Sequence, residues 1–115
     1  IGDLYKQVKD VMVPKGECSI LSPKNTIKEL IIDQNKLKIP CSVVTDKDKV
    51  IGLITYNDIR IYLEKNDKLN IKIAEIMNTR FHYITDDKQY IKDVDPMYKI
   101  IPIITDDVFK GIYYA

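Results

Sequence analysis

Three residues in this chain combine types and spacing that suit ligand chemistry: Gly52, Thr55 and Asp58, in the stretch Gly52-Leu53-Ile54-Thr55-Tyr56-Asn57-Asp58. Gly52 has no Cβ, so backbone there can come close to a bound molecule. Thr55 stands where an apolar run gives way to a helix-type pattern, and its hydroxyl can donate to or accept from a sugar or a phosphate. Asp58 lies in the first helical turn, where its carboxylate can accept from a pair of sugar hydroxyls. A helix start adds free amides and partial positive charge, which favour phosphate. Arg60 or a nearby lysine can meet a phosphate as well. A reading without any ligand explains the same residues. T-x-x-D is close to a capping box, in which hydroxyl and carboxylate satisfy the helix's own amides. Gly52 likewise suits a strand bulge or a close packing contact.

The rest of the chemical inventory is thin. The sequence holds no Ser/His/Asp or Cys/His set, no Gly-rich phosphate loop and no helix with paired metal ligands. No catalytic residue is assigned, and an enzyme reading needs residues outside this chain. Cys18, Cys41 and the single His82 are too few for a zinc site, so no metal is expected. The two thiols can form one bridge, but a core of this size does not need it. Both are read as small buried hydrophobes in a reducing, cytoplasmic setting, with Cys18 on a cleft-lining strand as the alternative. Asp46 and Asp48 read as a solvated turn rather than a metal site. His82 reads as structural or partly exposed; facing a cleft, it can touch a base. Among eight tyrosines, Tyr98, Tyr113 and Tyr114 read as a half-buried surface that meets a partner.

Composition removes several classes. The 115 residues are 45% hydrophobic and 30% charged with a net charge of +1, too apolar and too balanced for a disordered chain. That balance lacks the basic excess of a non-specific nucleic-acid binder, so no nucleic-acid partner is expected. The longest apolar runs, such as Ile100-Ile101-Pro102-Ile103-Ile104, fall far short of the ~20 residues that cross a bilayer. No basic-then-apolar leader opens the sequence, and Ile1 in place of Met reads as the start of an excised piece.

The elements that must position the candidate residues come from an internal repeat. Val8-Lys9-Asp10-Val11-Met12 recurs as Ile73-Ala74-Glu75-Ile76-Met77, and Val43-Val44-Thr45-Asp46 as Ile103-Ile104-Thr105-Asp106. Gly52 recurs as Gly111 within an apolar tail. The order is the same in both halves, so the chain divides near Asn70 into halves 1–70 and 71–115. In the first half Ser19-Ile20-Leu21 reads as a strand stopped by Ser22-Pro23. Thr26-Ile27-Lys28-Glu29 is a capping box that opens a helix with Ile27, Leu30 and Ile31 on one face. Two apolar runs, 41–45 and 50–54, flank a polar turn, and a second helix begins after Thr55 with Ile59, Tyr62 and Leu63 inward. The half reads β-α-β-β-α. In the second half Tyr83-Ile84 gives the strand, Ile91–Val94 a helix cut short by Pro96, and the runs 101–104 and 108–113 a hairpin. The sequence stops at Ala115 before any final helix, so one sheet face is expected to be buried against the other half, a partner chain or sequence not present here.

Two tandem units of this kind, each led by a V-x-D-V-M-like segment, resemble a pair of CBS (cystathionine-β-synthase-type) domains, the Bateman module. Gly52-Leu53-Ile54-Thr55-Tyr56-Asn57-Asp58 is similar to that family's G-h-x-[TS]-x-x-[DN] ribose- and phosphate-binding motif. In the second half the motif reads Gly111-Ile112-Tyr113-Tyr114-Ala115, with Tyr114 at the Thr/Ser position. The resemblance implies an α+β fold of two repeats about a pseudo-two-fold axis. It implies AMP, ADP, ATP or S-adenosylmethionine as regulatory ligand in an inter-repeat cleft, with no required cofactor. The adenine would be lined by Ser19, Ile20, Leu21, Ile39, Pro40 and Cys41. It further implies a homodimer and an attached enzyme or transporter domain under its control. Ile54-Thr55-Tyr56-Asn57-Asp58-Ile59-Arg60, with Leu37-Lys38-Ile39-Pro40-Cys41 before it, is similar in part to CBS pairs beside sugar-phosphate nucleotidyltransferases and isomerases. A ligand-free dimerisation scaffold and an accessory domain of such an enzyme are the competing expectations.

Overall fold

A computed structural model describes residues 5–35 and 39–115. Leu37 and Lys38 of the stretch quoted above, and Ile1, lie outside the described residues. The fold is mixed α+β, with two three-stranded sheets and three α-helices among the described residues. Contacts group the chain into two compact units. One is Cys18–Phe81; the other joins the residues up to Glu17 with His82–Ala115.

In the Cys18–Phe81 unit, β2 (Ser19–Leu21) runs parallel to β3 (Cys41–Asp46), which pairs antiparallel with β4 (Lys49–Thr55). The β3–β4 turn places Lys47 and Asp48 at φ 52° and 66°, the left-handed pair that a two-residue hairpin requires. Helix α2 (Ile27–Asn35) starts at the expected capping box: Thr26 N–H donates to Glu29 Oε1 at 2.9 Å and Glu29 N–H to Thr26 Oγ1 at 3.3 Å. Helix α3 (Tyr56–Lys65) follows β4 directly. The two helices cover one face of the sheet through Ile27, Leu30 and Ile59, which bury with Val44, Ile54 and Ile73. Each such side chain contributes about 1.5–3 kcal/mol by leaving water. Tyr62 packs at the edge of this core. Leu63, expected inward, stays 40% exposed, while the adjacent Tyr62 takes the core-facing place.

The other unit repeats the plan with less. Strand β1 (Val13–Pro14) pairs antiparallel with β6 (Val108–Tyr114), which pairs antiparallel with β5 (Ile100–Thr105). Asp106 and Asp107 occupy the turn at φ 52° and 63°. Both hairpins carry a register shift two pairs before the turn, after Val44 and after Ile103, so the structure matches Val44 to Ile103, one residue off the pairing that the sequence repeat suggests. The expected Tyr83-Ile84 strand shrinks to one parallel bridge, Ile84 to Ile103. The expected Ile91–Val94 helix is a single 3₁₀ turn over Ile91–Asp93. Tyr90 stands at its N-cap where α2 has Thr26, so no side-chain oxygen caps the first amides, and Pro96 follows within a turn. The core here is Val8, Ile84, Ile101 and Ile103, with Met12, Val94, Tyr98 and Tyr113 half-buried against it.

The lead segments behave alike but attach unexpectedly. Val8 N–H donates to Gln89 O and Ile73 N–H to Asn25 O, both at 2.8 Å. Val8 opens the short helix α1 (Val8–Val11) and Ile73 a 3₁₀ turn, and each closes it with a bond from the methionine N–H of Met12 or Met77 at 2.9 Å. Ile73–Met77 therefore packs in the unit of the first hairpin, and Val8–Met12 in that of the second.

Candidate functional site

The junction of β4 and α3 brings Thr55 and Asp58 together. Thr55 is extended (φ −98°, ψ 163°) and is the N-cap of α3. Its N–H donates to Asp58 Oδ2 at 2.8 Å, and its hydroxyl donates to the same oxygen at 2.9 Å. Asp58 N–H donates back to Thr55 Oγ1 at 3.2 Å. The capping box is thus complete, and its bonds among the described residues fall on Oδ2. Tyr56 N–H, the first amide of the helix, donates to Pro40 O at 2.9 Å. Beside it, Arg60 Nη2 donates to Asn57 Oδ1 at 2.7 Å, and Tyr56 is 59% exposed. The junction therefore presents a half-buried carboxylate, a hydroxyl, a guanidinium and a phenol around the start of a ten-residue helix.

Gly52 is buried and packed against Met77. A Cβ built on it would lie 2.5 Å from Met77 Sδ and 2.8 Å from Cγ. The glycine is required because a lead segment crosses the hairpin there, with Leu53 and Asn78 exchanging bonds of 2.9 and 2.8 Å. A Cβ on Gly111 would run first into the backbone at Val13 O, with Met12 Sδ 3.2 Å away. The repeated Met and the repeated Gly are therefore two halves of one contact, a pairing that the sequence repeat displays without stating.

The six residues assigned to an adenine lining divide between the two faces of their sheet. Ser19 points toward α2: it is 2% exposed, donates to Asp33 Oδ2 and lies 2.7 Å from Ser42 Oγ. This Asp33–Ser19–Ser42 chain ties α2 to β2 and β3. Its signal in the sequence is weak, a serine at the same place in two apolar strands. Leu21 lines a concavity of about 290 Å³ with Asn25, Glu29, Ile32 and Asp33. Two carboxylates make that concavity a poor seat for phosphate. Ile20 faces the other way and is 36% exposed. Ile39 and Cys41 are buried, and Pro40 is half-buried with its carbonyl on α3.

Cys41 is fully buried, and burial pushes its thiol up to about 12, with the nearby Cys18 and Asp58 adding to the shift. Cys18 is half-buried. Glu29, fully exposed, is held below its ordinary value of 4.5 by the Thr26 backbone bond first, then by the Asn25 and Thr26 side chains. His82 is exposed and stacks on Tyr98 at 4.2 Å between centroids. Among the described residues no group of three or more His, Cys, Asp and Glu is placed to hold a metal. No described helix is long and apolar enough to cross a membrane.

In the other unit Ala115 N–H donates to Lys99 O at 2.9 Å, the counterpart of the Tyr56–Pro40 bond. Tyr114, 46% exposed, therefore occupies the place of Thr55, and a phenol replaces the short hydroxyl.

No family model matches the chain. An uncharacterized protein of Rickettsia prowazekii is 30% identical over 99% of this chain and 37% of its own length. A methylated protein of Methanocaldococcus jannaschii is 36% identical over 79% of this chain and 51% of its own. The chain thus spans about half or less of these curated relatives. Among solved structures, a CBS domain-containing protein of unknown function from Bacillus anthracis matches with a TM-score of 0.81 at 16% identity, over 98% of this chain and 89% of that one. CBSX2 in complex with AMP matches at 0.75 and 15%, over 95% and 90%. CbpB in complex with c-di-AMP matches at 0.72 and 20%, over 96% and 80%. With two three-stranded sheets and few helices, the chain has the α+β fold of CBS-domain proteins over nearly its whole length.

Proposed function

We propose that this chain is a regulatory CBS pair, with repeats over about 1–70 and 71–115, that binds an adenosine-containing ligand at the β4–α3 junction. AMP, ADP and ATP are the first candidates, with S-adenosylmethionine after them. The observation that carries the reading is the Thr55–Asp58 pair at the start of α3. Its capping bonds among the described residues draw on Oδ2 of Asp58, and Oδ1 would take the sugar hydroxyls. Arg60 supplies charge for a phosphate within the same helical turns. The AMP bound to CBSX2 and the c-di-AMP bound to CbpB, two proteins of the same fold, support an adenine nucleotide. Tyr114 in place of Thr55 supports one such site per chain. The ligand would act on an attached enzyme or transporter domain through its different affinity for two arrangements, in a cytoplasmic homodimer. The likeness around Ile54–Arg60 makes a sugar-phosphate nucleotidyltransferase or isomerase the first attached activity to test.

The test is thermal unfolding with each of the four ligands. At ~100 times its dissociation constant a ligand stabilises by about 2.7 kcal/mol. A stabilisation that saturates with AMP, ADP, ATP or S-adenosylmethionine supports the reading. No stabilisation by any of them defeats it. One observation favours a second reading, a ligand-free dimerisation scaffold: Thr55 and Asp58 already satisfy each other. That reading expects no ligand effect and a melting temperature that rises with protein concentration.

A further inference from the structure

We infer that Cys18 and Cys41 form a reversible dithiol–disulfide pair whose oxidation weakens the ligand junction at Thr55. The ligand half of this inference rests on the nucleotide reading above; the bridge half does not.

The strand register places the two thiols. β2 and β3 run parallel with Ser19 opposite Ser42. Cys18 immediately precedes Ser19 and Cys41 immediately precedes Ser42, so the two cysteines stand next to one paired position at the start of the ladder. Neighbouring strands lie about 4.8 Å apart. That falls within the ~4.4–6.8 Å between Cα atoms that a disulfide accepts. Ser19 and Ser42 point to the α2 side, where they meet each other and Asp33. Side chains one residue earlier on extended strands point to the opposite face. Cys41, inside β3, therefore points away from α2, and Cys18, in the bend that leads into β2, is close enough to act on its thiol. Neither is in a disulfide in this structure.

Their unequal exposure orders the chemistry. Cys18 is half-buried and Cys41 is not exposed, so a soluble oxidant meets Cys18 first. With a small disulfide such as oxidised glutathione, the Cys18 thiolate attacks one sulfur, the S–S bond breaks and one thiolate leaves. Cys41 then loses its proton to solvent and attacks the Cys18 sulfur, and the second small thiolate leaves. The two protein thiols are oxidised by two electrons, and the small disulfide is reduced to two thiols. The high value of the Cys41 thiol makes the second step the slow one.

The junction feels the bridge through two direct links. Cys41 is the register partner of Thr55 across β3 and β4. Pro40, one residue back, accepts the first amide of α3. A disulfide draws its Cβ atoms to about 3.8 Å, closer than the ~4.8 Å strand spacing. Closing it fixes the orientation of Cys41 at the start of β3, and Thr55 and Tyr56 N–H, which rest on Cys41 and Pro40, are re-set with it.

The experiment incubates the full chain in a series of reduced and oxidised glutathione ratios, then reads intact mass and alkylation of thiols. The expected product is a monomer lighter by two hydrogens, inert to alkylation, restored by dithiothreitol and absent in Cys18→Ser and in Cys41→Ala. Cys18→Ser sits at a half-buried position and keeps the core, so it serves if Cys41→Ala fails to fold. Only glutathione adducts, or only bridges between chains, overturn the pair. AMP titration of the reduced and bridged forms reads the coupling, with a loss of about 5-fold or more in affinity expected. Equal affinity in the two forms overturns the coupling and leaves the bridge. If AMP binds neither form, the nucleotide reading falls and the coupling falls with it, while the mass alone still decides the bridge.

Discussion

Replacing Gly52 by Ala asks what the repeated glycine is for. On an open strand the change would stabilise by about 0.4–1 kcal/mol, through the smaller entropy of the unfolded chain. Here the new methyl lands 2.5 Å from Met77 Sδ, 2.8 Å from Cγ and 3.2 Å from Cβ. The sulfur can swing away, but Cβ follows the backbone. That backbone is held by Met77 N–H on Ile73 O and by the two bonds between Leu53 and Asn78. Overpacking of this kind costs about 1–3 kcal/mol, so the clash outweighs the entropy gain and a net loss of about 1–2 kcal/mol is expected. Urea unfolding of Gly52→Ala, Met77→Ala and the double variant measures it. The double variant should be at least about 1 kcal/mol more stable than the sum of the single losses predicts, because removing the thioether makes room for the methyl. Additive losses, or a neutral or stabilising Gly52→Ala, would refute the packing argument. Gly111→Ala makes the control. Its nearest neighbour is the carbonyl oxygen of Val13, so truncating Met12 should not rescue it.

Asp58→Ala should cost about 1 kcal/mol through the lost cap, yet weaken AMP binding by about tenfold or more. Calorimetric titration and urea unfolding of the same variant check both, and an unchanged affinity would remove Asp58 from the site. Ser19→Ala should cost about 1–3 kcal/mol, because the buried Ser42 hydroxyl and Asp33 both lose a partner. Ser42→Ala should cost less, since Ser19 keeps Asp33, and equal losses on urea unfolding would argue against the chain of bonds. Glu29 has a lowered value in the folded state, so its contribution is present above pH 4.5 and disappears as pH falls through the folded value. Glu29→Gln should therefore flatten the acid limb of the melting temperature against pH, and an unchanged limb would count against the Thr26–Glu29 cap.

Much of the fold was legible in local signals. Thr26 with Glu29 and Thr55 with Asp58 mark both helix starts, and the apolar runs around 46–49 and 105–108 mark both hairpins. Each of these depends on residues a few positions apart. What escaped depends on distance in the chain. Val8–Met12 and Ile73–Met77 are near copies, and nothing within either says which hairpin it will cross. Long-range contacts decide it: Met12 with Gly111 and Met77 with Gly52, together with the backbone bonds of Val8 to Gln89 and of Ile73 to Asn25. The second half also falls short of its pattern for a visible reason: Tyr90 cannot cap as Thr26 does, and Pro96 forbids a second turn. At the candidate site, Thr55 and Asp58 were readable because the motif is contiguous. Strand alternation alone sends Ser19 and Ile20 to opposite faces, so a contiguous lining set could not point one way.

The attachment of Val13 and Pro14 to β6 has a further consequence for how the chain reaches its native state. Cys18–Phe81 is contiguous, so all of its ladders can close while a ribosome is still making the remainder. The other unit joins Val13–Pro14 to strands that come after residues 18–81, and its three-stranded sheet cannot be completed before β6 has been translated. Synthesis thus imposes a sequence of events: Cys18–Phe81 matures first, while β1 waits with an unpaired edge for β6. During that interval the early strand is the segment most open to capture by another nascent copy.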